Sequence, residues 1–228
     1  MVSAILLAAG KGLRLHSSLS KPLVKIKRRA IVFYSLRTLN EHPEIDEIIV
    51  VVNSGNQVSI VKLIKSYSFK KIKAVVLGGS RRQDSVYNGL KATHRNSKWV
   101  LIHDSARPFV ELDDVTKVIQ QAKKYGAAIL AVKPKATIKS SKADNIVAKT
   151  FTRDKLWEVQ TPQVFKKDLL LKAYKKYSQD NVTDDASLVE KLGRRVKIVK
   201  GSYGNIKITT YEDLLFAGLI AKRFENGI

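Results

Sequence analysis

An α/β fold with a doubly wound, mostly parallel sheet is predicted by two regularities and one absence. Short runs of Val, Ile and Leu recur between longer segments of helical period. Those runs are apolar throughout rather than alternating, as strands covered on both faces are. No Pro/Gly/Ser-rich linker divides the 228 residues. Strand and helix in alternation is the pattern in which helices cover both faces of a parallel sheet. The chain is long enough to bury one large core, so a single domain over 1–228 is expected, with about 133–150 as a projecting β-arm.

In chain order, "SAILLA" (3–8), "EIIVVV" (47–52), "KAVVL" (73–77), "WVLIH" (99–103) and "AAILAV" (127–132) read as buried strands. Between them "AIVFYSLRTLN" (30–40), "NQVSIVKLIKSY" (56–67), "DSVYNGLKAT" (84–93) and "LDDVTKVIQQAKKYG" (112–126) read as helices. The last has Asp113 and Asp114 early, Lys123 and Lys124 late and Gly126 as a stop, which suits the helix dipole and a left-handed C-terminal cap. Residues 133–150, "KPKATIKSSKADNIVAKT", break this rhythm with lysine, serine and short apolar pieces. They fit a β-arm or a solvated hairpin.

The chain carries 42 Lys+Arg against 20 Asp+Glu, a formal charge of +22, which attracts polyanions. The lysines are spread from Lys11 to Lys222 without a basic tail, which favours solvated helix faces over a dedicated nucleic-acid stripe. A basic nucleic-acid-binding α/β module stays open as a reading of another class. The basic residues near the N-terminus follow the apolar core instead of preceding it, so the segment does not read as a secretory signal. No run approaches the ~18 apolar residues of a membrane span. With no cysteine, disulfides and thiolate metal sites are excluded, which suits a reducing cytoplasm.

Ligands of doubly wound sheets bind beyond the carboxyl ends of the strands. There the sequence places "LLAAGKGLRLHSSLSKPLVKI" (6–26) after the first strand, "GGSRRQDS" (78–85) after the third and "HDSARP" (103–108) after the fourth. Convergence of these loops would gather Arg14, Lys21, Arg82, Asp104 and Arg107 around one crevice suited to an anion. "GKGLRL" has Leu15 where a dinucleotide fingerprint has its third glycine, and no Walker-type motif occurs there. Glycines that let backbone N–H groups approach, with Arg and Lys close behind, nevertheless suit phosphate oxygens. A glycine turn with solvated lysines is the competing reading.

Taken in order, "LLAAGKGLRL…SKPLVKI", "GGSRRQDSV", "HDSARPFV", "LWEVQTPQVF", "TDDAS" and "NIKIT" resemble the 2-C-methyl-D-erythritol 4-phosphate cytidylyltransferase family. These are nucleotidyltransferases with a Rossmann-like sheet. The resemblance spans about residues 3–220. It implies cytidylyl transfer from CTP to 2-C-methyl-D-erythritol 4-phosphate, with release of pyrophosphate, in non-mevalonate isoprenoid biosynthesis. A ribitol-5-phosphate cytidylyltransferase, built on the same site for another polyol, is the nearest alternative. Two departures bear on that choice. The chain has Ser20-Lys21-Pro22 where the family usually has Pro-Lys-Gln, and Gly204 where it usually has aspartate.

By resemblance, Arg14 and Lys21 hold the triphosphate and stabilise the attacked phosphate, and Lys207 also reaches it. Ala8 and Gly10 supply backbone contacts to the nucleotide, Gly79, Ser80, Arg82 and Ser85 read base and ribose, and Ala106 is a further backbone contact. Asp104 lies near Mg²⁺ and ribose; Thr137, Arg153, Thr161 and Thr183 surround the polyol phosphate. The arm is implied to cross to a second subunit of a homodimer, carrying Thr137 and Arg153 into the neighbour's site. The residue types suit the chemistry. An ammonium is a compact charge, a guanidinium forks onto phosphate oxygens, and Mg²⁺ takes few carboxylates alongside phosphates.

Plainer readings exist for several of these. Asp104 caps a turn as readily as it binds a cation. Lys207, between Ile206 and Ile208, reads as the outward residue of an edge strand. Thr183 reads as a helix N-cap with Asp184 and Asp185 near the dipole. Arg153 reads as a surface charge before buried Leu156 and Trp157, and His103 as a core histidine at a strand end or a turn histidine.

Overall fold

The structure is a computed structural model in which residues 1–10 and 20–225 are described. Its elements are β1 (Val2–Ala8), β2 (Lys25–Ile26), β3 (Arg29–Ala30), α1 (Ile31–Glu41), β4 (Glu47–Val52), α2 (Gln57–Tyr67), β5 (Ile72–Leu77) and α3 (Arg82–Ala92). Then come β6 (Trp99–Asp104), α4 (Leu112–Tyr125), β7 (Ala127–Val132), β8 (Lys139–Ser141), β9 (Val147–Thr150), β10 (Glu158–Lys166), α5 (Lys167–Lys176), α6 (Ala186–Lys191), β11 (Lys197–Lys200) and α7 (Tyr211–Glu225).

Seven strands form one sheet in the order β11-β7-β10-β6-β1-β4-β5. β10 runs antiparallel to β6 and β7, and the other pairings are parallel. The sheet is thus mostly parallel, as expected. Alternate residues of β1 point to opposite faces, so Ala4 and Leu6 pack with α1, α2 and α4 while Ile5 packs with α3, α5 and α6. Both faces being covered is why β4 and β7 are buried along their full lengths and read as unbroken apolar runs. A third cluster joins β2, the start of α1, Phe109, Ile208 and the inner face of α7.

The winding reverses at β1. The chain steps outward through β4 to β5, then returns to lay β6 on the other side of β1. The crevice of such a sheet opens where the order reverses, here between the ends of β1 and β6, where Leu7 lies beside Asp104.

The strands and helices expected before residue 133 are all present, with ends shifted by one or two residues. The strand expected to end at His103 continues to Asp104, because that residue still pairs with β1. Gly126 takes φ of 89° after α4, a conformation a side chain would strain. Asp113 pairs with Lys117, but Asp114 is buried, and burial raises its carboxyl pKa, so only the first of the two is a solvated helix-start charge.

Three plainer readings are corrected. Lys207 lies in no strand. Thr183 does not cap α6; Asp185 stands at its N-cap, and the Asp184 carboxylate before it accepts the Ser187 N–H at 3.2 Å. Leu156 and Trp157 are only partly buried. The region after 132 forms a hairpin of β8 and β9, paired with each other in the register Lys139↔Thr150 and Ser140↔Lys149 and not with the main sheet.

Candidate active site

At the end of β6 the Asp104 carboxylate is gripped by two cations. Its Oδ1 accepts from Nε and Nη2 of Arg82, both at 3.2 Å, and its Oδ2 from Nζ of Lys207 at 2.7 Å. Arg82 also donates through Nη1 to Oδ2 of Asp185 at 2.8 Å, and the Tyr174 hydroxyl donates to the other oxygen of Asp185. Arg82, Asp104, Tyr174, Asp185 and Lys207 therefore meet from distant parts of the chain, and each carboxylate is matched by a cation. Burial alone would push Asp104 upward, but Arg82 and Lys207 hold its carboxyl well below the usual carboxylate range. Burial likewise opposes charge on Arg82, and Asp185 with Asp104 more than restores it. Asp104 and Arg82 are therefore both charged at neutral pH.

Arg82 is aimed by the turn before α3. The Asp84 carboxylate accepts the Arg81 N–H at 3.0 Å and binds the Arg81 guanidinium, closing the first turn of the helix. The Gly79 N–H donates to the Ser85 hydroxyl at 3.1 Å, and a Cβ on Gly79 would stand 2.4 Å from Cβ of Asp84. Only glycine permits that approach. The outer rim, Gly79 and Ser80, is exposed, while Ser85 is buried beneath it.

Beneath Asp104 lies a hydrogen-bonded layer. The Asp104 N–H donates to the Thr161 hydroxyl at 3.1 Å, and that hydroxyl meets Nδ1 of His103 at 3.0 Å. Nε2 of His103 faces the Arg107 carbonyl at 3.0 Å. A carbonyl can only accept, so Nε2 carries the proton and Nδ1 accepts from Thr161. Burial lowers the His103 pKa to about 4, keeping the ring neutral. Of the two readings of His103, the structure shows the core histidine, fully buried near the end of β6.

On the β1 side, the Ala8 carbonyl accepts from Nδ2 of Asn56 at 2.8 Å, and the same amide donates to the Ser20 hydroxyl at 2.9 Å. Lys21 opens a short 3₁₀ turn and donates from Nζ to the Ile208 carbonyl at 2.9 Å. The Ile208 N–H in turn donates to the Ala106 carbonyl at 2.8 Å. Lys21 and Ala106 thus both hydrogen-bond to Ile208, the residue after Lys207.

Of the expected site residues, the structure brings together Ala8, Lys21, Arg82, Ser85, Asp104, Ala106, Thr161 and Lys207 around the ends of β1 and β6. Gly10, Gly79 and Ser80 stand exposed on strand-end loops. Thr183 is exposed two residues before Asp185. Thr137 and Arg153 stand exposed at the arm, where Arg153 donates to the Lys135 carbonyl at 2.5 Å; neither hydrogen-bonds to the Asp104 knot. Arg14 lies outside the described residues.

Arg107, grouped with the crevice cations by its place in the sequence, turns inward instead and donates to the carbonyls of Asn205 and Val159. Asp185 and Tyr174 are partners of the site that spacing did not single out. The doubled aspartate of "TDDAS" was the available signal, but it reads as a helix start.

Among the described residues no three His, Cys, Asp or Glu side chains converge as a self-contained metal site. Asp104 suits a hard cation whose other ligands are phosphate and water. A recess of about 410 Å³ is lined by Ser20, the residue before Lys21, with Asn53, Ser54 and Gly55, whereas a groove of about 680 Å³ beside Arg37, Leu112 and Phe224 touches none of the expected site residues. No described helix is long and apolar enough to cross a membrane.

The profile of the 2-C-methyl-D-erythritol 4-phosphate cytidylyltransferase (IspD) family matches residues 2–223. A protein of that name from Alkaliphilus oremlandii is 45% identical over 228 residues, covering 99% of this chain and 97% of the relative. One from Clostridium botulinum, strain Loch Maree, is 42% identical, covering 97% of each. The crystal structure of 4-diphosphocytidyl-2C-methyl-D-erythritol synthase from Anaerococcus prevotii superposes with a TM-score of 0.87 at 38% identity, over 97% of this chain and 96% of that one. The Thermus thermophilus 2-C-methyl-D-erythritol 4-phosphate cytidylyltransferase structure gives 0.79 at 28% identity, over 97% and 100%. The chain belongs to the 2-C-methyl-D-erythritol 4-phosphate cytidylyltransferase family, and it is a nucleotidyltransferase of isoprenoid biosynthesis.

Proposed function

We propose that this chain joins CTP and 2-C-methyl-D-erythritol 4-phosphate, releasing pyrophosphate. The observation that carries the site assignment is the Lys207–Asp104–Arg82 knot at the reversal point of the sheet, with Lys21 tied to the residue after Lys207. A phosphomonoester oxygen attacks the α-phosphorus of CTP, a P–O bond forms, and the bond to the β-phosphate oxygen breaks. Two anions approach and charge gathers on the α-phosphate, so fixed cations and positioning dominate the catalysis.

Lys21 and Lys207 are the cations that meet the reacting phosphate, and Arg14, by its family position, holds the triphosphate. Ala8, Gly10 and Ala106 contact the nucleotide through backbone; Gly79, Ser80, Arg82 and Ser85 read base and ribose. Asp104, kept ionised, would hold Mg²⁺, which neutralises phosphate charge when bound. Thr161 and Thr183 belong to the polyol-phosphate side of the crevice. We read residues 1–228 as one domain whose arm reaches a second subunit, placing Thr137 and Arg153 against the partner's polyol phosphate. The exposure of Ile146 and Val147, at 62% and 56%, supports an arm that is covered only on assembly.

Pyrophosphate release, with CTP, UTP, ATP and GTP crossed against 2-C-methyl-D-erythritol 4-phosphate and ribitol 5-phosphate, tests the reaction. CTP with the erythritol phosphate is the expected pair, and a preference for ribitol 5-phosphate would overturn the substrate. Deleting 136–149 tests the arm: a folded, monomeric, largely inactive protein is expected, and an unchanged active dimer in sedimentation would remove the arm from assembly.

A further inference from the structure

Lys207 lies on a segment with no helix or strand to fix it, yet its charge must be placed to within an ångström. Two neighbours in sequence and space supply the constraint. The Arg107 guanidinium, itself inward-facing, spans two carbonyls, donating from Nη1 to Asn205 at 2.8 Å and from Nη2 to Val159 at 3.1 Å. The Asn205 side chain is fully buried and donates from Nδ2 to the Thr161 carbonyl at 2.9 Å and to Oε1 of Gln160 at 3.3 Å. The Arg107 N–H donates to the Asp104 carbonyl at 2.9 Å. One residue thus ties the turn after Asp104, the start of β10 and the segment two residues before Lys207.

We propose that Arg107 and Asn205 are positioning residues that act through Lys207, setting the reach of its ammonium toward the reacting phosphate. A planar guanidinium with forked donors can hold two carbonyls at a fixed separation; a lysine ammonium at the same place can satisfy one of them well and not both. The constraint reaches Lys207 along the two-residue step of chain from Asn205. The inference rests on the assignment of Lys207 to the reacting phosphate, so its test contains a control for that assignment.

The test is a double-mutant cycle of Arg107→Lys with Lys207→Met, read in kcat and in KM for CTP, each protein being checked by thermal unfolding to be folded at the assay temperature. With Lys207 present, Arg107→Lys is expected to lower kcat by about 10²-fold, the scale of an ångström misplacement. KM for CTP should stay within about twofold, since what is lost is an interaction of the transition state. In the Lys207→Met background the same substitution should cost less than about twofold, because the group it positions is gone. Equal losses in both backgrounds, or none in the first, would overturn the positioning role while leaving Lys207 in place. An unaffected kcat in Lys207→Met alone would overturn the assignment beneath it. Should Arg107→Lys fail to fold, Asn205→Ala completes the same cycle, with the same expected non-additivity and the same overturning result.

Discussion

The Asp104 crevice and the β8–β9 arm are both rich in charge, yet they use it oppositely. In the crevice each carboxylate has a cation, Arg82 bridges Asp104 and Asp185, and both carboxylates are largely withdrawn from water. In the arm Lys139, Lys142 and Lys149 face solvent, and so do Ile146 and Val147. Charge fixed in a matched network is preorganised and costs little reorganisation when phosphate arrives, whereas charge on a solvated hairpin is screened and mobile at its ends. The total of +22 therefore says little about the reaction. What matters is that a few of those charges are held by neighbours of opposite sign.

The sharpest contrast should come from removing one charge in each region. Lys21→Ala is expected to lower kcat by roughly 10²–10³ with the fold intact. Lys142→Ala, on the exposed arm, should change it little. Steady-state kinetics with circular dichroism as a fold control would check both, and equal effects would erase the distinction between fixed and solvated charge.

A second, smaller effect concerns stability and the layer under Asp104. His103 titrates near 6.5 when unfolded and at about 4 in the fold. The unfolded chain then binds the extra proton between those values, so stability falls as pH drops through that window, by about 1.4 kcal/mol per unit at most. Buried His42 is also lowered and adds to the slope. Asp104, held down, loses its contribution only below the ordinary carboxylate range. Denaturant unfolding of His103→Gln should show a shallower acid limb than the parent; an identical slope would exclude His103 as its source.

Arg153→Ala should chiefly raise KM for the polyol phosphate, by about tenfold for a lost charge-assisted hydrogen bond, with CTP binding little changed. Titration of each substrate separately would show this. An equal loss for CTP would place Arg153 on the nucleotide side.

The same contrast governs what sequence could disclose. β1, β4 and β7 were legible because burial on both faces leaves an unbroken apolar run. β10 is also central, but its residues Gln160, Thr161 and Gln163 are buried polar groups serving the site and α6, so no strand period survives. Lys207 alternates with Ile206 and Ile208 as an edge strand would, yet Ile208 is drawn into the cluster under α7 and Lys207 turns to Asp104. Asp185 could not be told from a helix-start charge, since its pairing with Arg82 spans a sequence separation of 103 residues. Local period reads elements; it does not read partners that only the closed fold brings within reach.

The same substitution made in both regions separates them most cleanly. Ile102→Ala, fully buried in β6, removes methyl groups from a close-packed core and is expected to cost about 2–5 kcal/mol. Ile146→Ala removes the same atoms from a side chain 62% exposed at the arm, and should change the stability of the isolated chain by less than about 0.5 kcal/mol. If the arm is covered by a second subunit, the loss at Ile146 must reappear elsewhere, as a weaker dimer whose dissociation midpoint moves to higher protein concentration. Dilution followed by sedimentation would reveal that shift, with unfolding of the monomer measured in parallel. A dimer of unaltered affinity would mean that the partner does not touch this side chain, and a large loss of monomer stability would mean that the arm packs on its own subunit.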